Sequence, residues 1–126
     1  MAGLQFDNGV KEFDVNGKAT IRFNPLDTAF FQKVVALFEK CENLTKNSDN
    51  TPEGIQILDQ KIKSEINAVF GDISAIFDGV SSVAIAGGLP VWANFIIAVI
   101  DEIDETIKKP IEYSPKVQKY LDKYKK

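Results

Sequence analysis

Polar and apolar positions along the chain change period at Pro25. Before it they alternate: Leu4 and Phe6, then Phe13 and Val15, then Ala19, Ile21 and Phe23, with the turn formers Asp7-Asn8-Gly9 and Asn16-Gly17 between them. Alternation predicts strands over Leu4–Phe6, Val10–Val15 and Lys18–Phe23. A two-residue Asn16-Gly17 loop would pair position 15 with 18 and set the apolar rows on opposite faces. A three-residue loop, Val15-Asn16-Gly17, pairs 13 with 19 and brings both rows to one face. Burial selects the second, as a type I turn closed by a bulge with Gly17 left-handed.

After Asn24-Pro25 the apolar residues recur at helical spacing. Asp27 is the expected N-cap of a first helix reaching about Lys46, with Phe30, Phe31, Val34, Val35, Leu37, Phe38, Cys41 and Leu44 inward. Thr51-Pro52 opens a second helix through Ile55, Leu58, Ile62, Ile66, Val69 and Phe70 to Gly71, and Ile73, Ile76 and Phe77 extend the pattern through a further turn or a short separate helix. Gly87-Gly88-Leu89-Pro90 breaks the chain before a third helix, Val91 to about Lys108, carrying Trp92, Phe95, Ile96, Val99, Ile100, Ile103 and Ile107. Pro110 ends it, and Ser114-Pro115 opens a short terminal helix. No strand is expected beyond residue 25. The predicted fold is α+β, an N-terminal antiparallel meander or hairpin followed by a bundle of three or four helices. One domain is expected over residues 1–110, with a basic helix or tail over 111–126.

A chain of 126 residues can bury a single core. It has no histidine and one cysteine, which excludes histidine-based acid–base chemistry, Ser-His and Cys-His pairs, and zinc sites built on His or paired Cys. Cys41 lies in the apolar stripe of the first helix and reads as an inert core residue. Asp101, Glu102, Asp104 and Glu105 could in principle face a cation, but a solvated helix face is the better reading. Gly87-Gly88 lacks the Lys-Ser/Thr of a phosphate loop. No catalytic residue, metal or cofactor is therefore expected. Gly79–Ile100 holds 22 residues without a charge, but Ser81, Ser82, the Gly-Gly-Leu-Pro break and Asn94 interrupt it, so buried helix and loop are expected rather than a membrane span. With no signal-peptide pattern at the N-terminus, the expected location is the cytoplasm.

The net charge of −3 divides unevenly: residues 1–107 carry −8 and residues 108–126 carry +5. An acidic body disfavours nucleic acid as a partner. In the tail, Val117, Tyr120, Leu121 and Tyr124 fall at i, i+3, i+4 and i+7, with Lys116, Lys119 and Lys123 around them. These seven residues are the candidate partner-binding set. The stripe suits packing either on a partner or on the chain's own body.

The order of these elements resembles a known family. An Asn-Gly turn leads through Phe23-Asn24-Pro25-Leu26-Asp27 into a helix with Phe30, Phe31, Lys33, Val34 and Leu37. A second helix then ends in Val69-Phe70-Gly71, and an apolar helix with an acidic end follows. Over residues 10–107 this resembles the small tail-assembly proteins of long-tailed phages and prophages. The resemblance implies a binding protein without catalytic residues, which keeps the tape-measure protein soluble and helps tail-tube subunits assemble around it in the bacterial cytoplasm. The other readings it leaves open are a structural tail or connector component retained in the virion, and self-association into a homo-oligomer.

Overall fold

The computed structural model describes residues 2–108, which form an α+β fold. Strands β1 (Lys11–Val15) and β2 (Ala19–Phe23) make an antiparallel hairpin in which Phe13 faces Ile21 and Val15 faces Ala19. Both apolar rows share one face, as burial requires. The register, however, is displaced by two residues from the expected pairing of 13 with 19, because the loop is Asn16-Gly17-Lys18. Asn16 and Gly17 both have positive φ, 53° and 68°, and the Lys18 N–H donates to the Val15 carbonyl at 2.9 Å. That φ pattern is the type I′ turn, not the expected type I. Its twist matches that of the flanking strands, and Asn tolerates the left-handed region. The Asp14 carboxylate reinforces it by accepting from the Gly17 N–H at 2.9 Å.

Leu4–Phe6 is not a strand, so the N-terminal unit is a hairpin and not a meander. The preceding turn closes on side chains near and far: Asp7 accepts from the Gly9 N–H at 2.8 Å, and Asn24, just past β2, donates its Nδ2 to the Asn8 carbonyl at 2.9 Å. Alternation alone leaves Leu4–Phe6 without a ladder to join, and Leu4 and Phe6 stand 95% and 84% exposed.

Helix α1 (Thr28–Lys46) is capped by Asp27, whose carboxylate accepts from the Ala29 N–H at 3.0 Å. Helix α2 (Pro52–Phe70) is capped by Thr51, whose hydroxyl accepts from the Gly54 N–H at 3.0 Å, with proline in its first turn. Ser74–Phe77 forms a 3₁₀ turn, and helix α3 spans Val91–Lys108. Each helix turns its stripe inward through Val34, Leu37 and Cys41, through Leu58, Ile62 and Ile66, and through Trp92, Ile96, Val99 and Ile103. The ends of the stripes run past their neighbours: Ile55 and Ile107, expected in the core, are exposed. Phe38 is half-buried against Trp92, the ring centroids 5.4 Å apart.

The expectation of no strand beyond residue 25 is overturned by a second, very small hairpin, β3 (Ile85–Ala86) with β4 (Leu89–Pro90). Gly87 and Gly88 have φ of 64° and 86°, so the pair that reads as a helix break is a tight hairpin turn. The uncharged run Gly79–Ile100 is thereby divided between loop, hairpin and the start of α3. No helix among the described residues is long and apolar enough to cross a membrane.

Candidate functional site

An open, largely apolar groove lies between the first hairpin and α3. Placing the odd-numbered residues of β1 and β2 on one face turns Phe13, Val15, Ile21 and Phe23 toward α3. That helix answers with Phe95, Ala98, Val99 and Glu102, spaced i, i+3, i+4 and i+7. Ile21, Phe23 and Val99 are buried and make the floor, while Phe13, Val15 and Phe95 are half-buried walls. Between them is a groove of about 170 Å³, with Asp14 and Glu102 at its rim. Phe13 stacks on Phe23 at 4.6 Å between ring centroids, Phe23 on Phe30 at 4.9 Å, and Phe70 meets Phe95 edge-on at 5.3 Å, so the walls are held by contiguous aromatic packing. Such a surface can bury apolar side chains and attract cations.

A second cluster joins α2 to the loop before β3. Ser82 is fully buried; its hydroxyl donates to Asp59 Oδ1 at 2.6 Å and its N–H to the same oxygen at 2.7 Å. Lys63 Nζ lies 3.0 Å from Asp59 Oδ2 and 5.6 Å from the centre of the Phe77 ring. Burial alone would raise the Asp59 pKa. The hydrogen bonds from Ser82 and the hydrogen bond and charge of Lys63 outweigh it, and the net direction is down. A serine, a lysine and a carboxylate invite comparison with a nucleophile site. Here the hydroxyl is sealed from solvent and Lys63 neutralises Asp59 without reaching Ser82, so the cluster is a clamp. The Ser82 carbonyl accepts from the Trp92 N–H at 2.9 Å and that of Ala84 from the Val91 N–H at 2.8 Å, so the clamped loop satisfies the first donors of α3.

Cys41 is buried, and burial, assisted by the charge of Glu65 and opposed by Lys40, pushes its thiol up to about 11. Among the described residues, no group of three or more Cys, Asp or Glu side chains is gathered closely enough to hold a metal ion. The partner-binding set read from the sequence, Lys116, Val117, Lys119, Tyr120, Leu121, Lys123 and Tyr124, lies outside the described residues. The groove was missed in the sequence because its two walls are distant in the chain. The available signal was the shared-face argument for the hairpin, taken together with the second apolar row of α3. Comparison with protein-family models, with curated proteins and with solved structures finds no match to this chain.

Proposed function

We propose that this is a non-catalytic binding protein of the tail-assembly kind, holding the tape-measure or tail-tube protein of a long-tailed phage or prophage during assembly in the bacterial cytoplasm. The order of elements carries the resemblance, and the observation that supports binding is the open groove, apolar at its floor and with Asp14 and Glu102 among its lining. A client chain kept soluble by a small helper must lend it apolar surface, and a rigid aromatic-walled groove accepts such surface without reorganisation. The basic stripe over residues 116–124 supplies a second contact in this reading.

Co-expression with the tape-measure protein encoded beside it tests the proposal. The helper is expected to raise the soluble fraction of that protein and to co-purify with it. Ala98→Arg, which fills the groove from an exposed position, is expected to reduce both. A tape-measure protein equally insoluble with and without the helper would refute the reading.

A further inference from the structure

Strand β1 is the open side of the first hairpin. It has a ladder partner on one side only, so alternate N–H and C=O groups along its other side have no strand to join. The sheet rests on the body through β2, whose Ile21 and Phe23 are buried, while Phe13 and Val15 of β1 stay half-buried. The groove opens on that same side. Alternation turns Asp14 away from Phe13 and Val15, yet Asp14 lines the groove, whereas Thr20 and Arg22 of β2 do not. A third strand added beside β1 would lay its inward side chains over Phe13, Val15, Phe95 and Ala98.

The chain carries a segment suited to that place. Residues 2–6 match β1 in length, contain no charged residue, and set Leu4 and Phe6 two positions apart, hence on one face of a strand. Both side chains are almost wholly exposed, and the segment makes no ladder with β1 of its own chain. The turn that leads to it is closely fitted: Gly9 has φ of 75°, and a Cβ there would lie 2.5 Å from Asn24 Nδ2. We infer that residues 2–6 of a second copy add to β1 as the third strand, seating Leu4 and Phe6 in the groove, and that the exchange is reciprocal about a two-fold axis. Reciprocity doubles the gain, because two leucines and two phenylalanines leave water in each dimer and two new ladders form. Asp14 and Glu102 meet an uncharged strand, so no like charge opposes its entry. The inference concerns the chain alone and does not rest on the proposed client; a client using this groove must displace the strand.

Sedimentation of the full chain, with no client present, should show a dimer at about 100 μM that dissociates on dilution. Leu4→Asp and Phe6→Asp alter side chains that are exposed in the single copy, so its fold should persist. Each should weaken dimerisation at least about tenfold, as the loss of a buried anchor requires. A native chain that stays monomeric, or a dimer unaffected by both substitutions, would overturn the inference. Disulfide formation between separately prepared chains locates the strand, Cys41 being buried. Under mild oxidation, Leu4→Cys or Phe6→Cys chains mixed with Ala98→Cys chains should cross-link at least about tenfold faster than with Ser64→Cys, on the exposed face of α2. Equal rates at positions 98 and 64 would overturn the inference. So would closure within one chain when the cysteines at 6 and 98 are combined in it, which would return the strand to its own β1.

Discussion

Asp59 shows how much of the fold depends on one carboxylate. It takes both donors of Ser82 and the Lys63 ammonium, and through Ser82 it fixes the start of α3. Asp59→Asn keeps the volume but removes the charge and offers a single acceptor oxygen, so a loss of about 1–3 kcal/mol is expected in a urea melt at neutral pH. The pH dependence has a definite sign. The folded-state pKa lies below the ordinary 3.8. The stability Asp59 contributes is therefore fully present above that value and is lost as pH falls through the folded pKa. Urea midpoints between about pH 5 and pH 2.5 should drop more steeply for the native chain than for Asp59→Asn; parallel curves would show that the clamp is not a charged one. Cys41 makes the opposite case, a group that burial silences. With its pKa near 11, the thiol should resist an aromatic disulfide reagent at about pH 8 in the folded protein and react only as fast as the chain opens. Rapid stoichiometric labelling under native conditions would place Cys41 at the surface.

At the scale of elements, Gly17 offers the sharpest test of the first hairpin. A Cβ there would meet no atom within 4 Å, yet φ is 68°, so any penalty is conformational and not steric crowding. Gly17→Val should cost about 1–3 kcal/mol, and Gly17→Asn much less, since Asn adopts the left-handed region more readily. Phe38→Ala separates pattern from depth. The helical stripe reads Phe38 as core, for which about 3–5 kcal/mol would be lost. Half-buried against Trp92, it should lose about 2–3 kcal/mol, less than fully buried Phe23→Ala. Helices α1 and α2 were legible because each carries its own caps and stripe within some 20 residues, and α3 by its stripe: Asp27, Thr51-Pro52 and the Gly71 end all stand where local chemistry puts them. Face selection in the hairpin was legible for the same reason, since parity is a local property. Register was not, because three-residue loops centred one residue apart shift each partner by two and so give the same parity. Leu4–Phe6 failed because a strand needs a neighbour that alternation cannot supply, and Gly87-Gly88 because two glycines read equally as a break or as a turn. The Asp59–Ser82 clamp joins residues 23 positions apart and leaves no periodic trace.

At the scale of the whole molecule, the question is whether the hairpin is an ornament on a helical bundle or part of one cooperative body. Two strands alone are marginal in water. Here Ile21 and Phe23 lie in the same buried cluster as Val34, Leu37, Ile62, Ile66, Ile96 and Val99, and the ring of Phe23 stacks on Phe30 of α1. Removing the hairpin would uncover α1 and α3 together, so its unfolding free energy should coincide with that of the helices. Trp92 gives the necessary probe. It is buried at the start of α3, its ring next to Phe38 of α1 and its backbone N–H bonded to the clamped loop, so its fluorescence reports tertiary packing while far-UV circular dichroism reports helix. The two signals should trace one urea transition with a common midpoint, and Phe23→Ala should shift both equally. Two midpoints, with the helical signal outlasting Trp92, would mean that the clamp and hairpin open before the bundle. The groove, built half from each, would then exist only below the first transition.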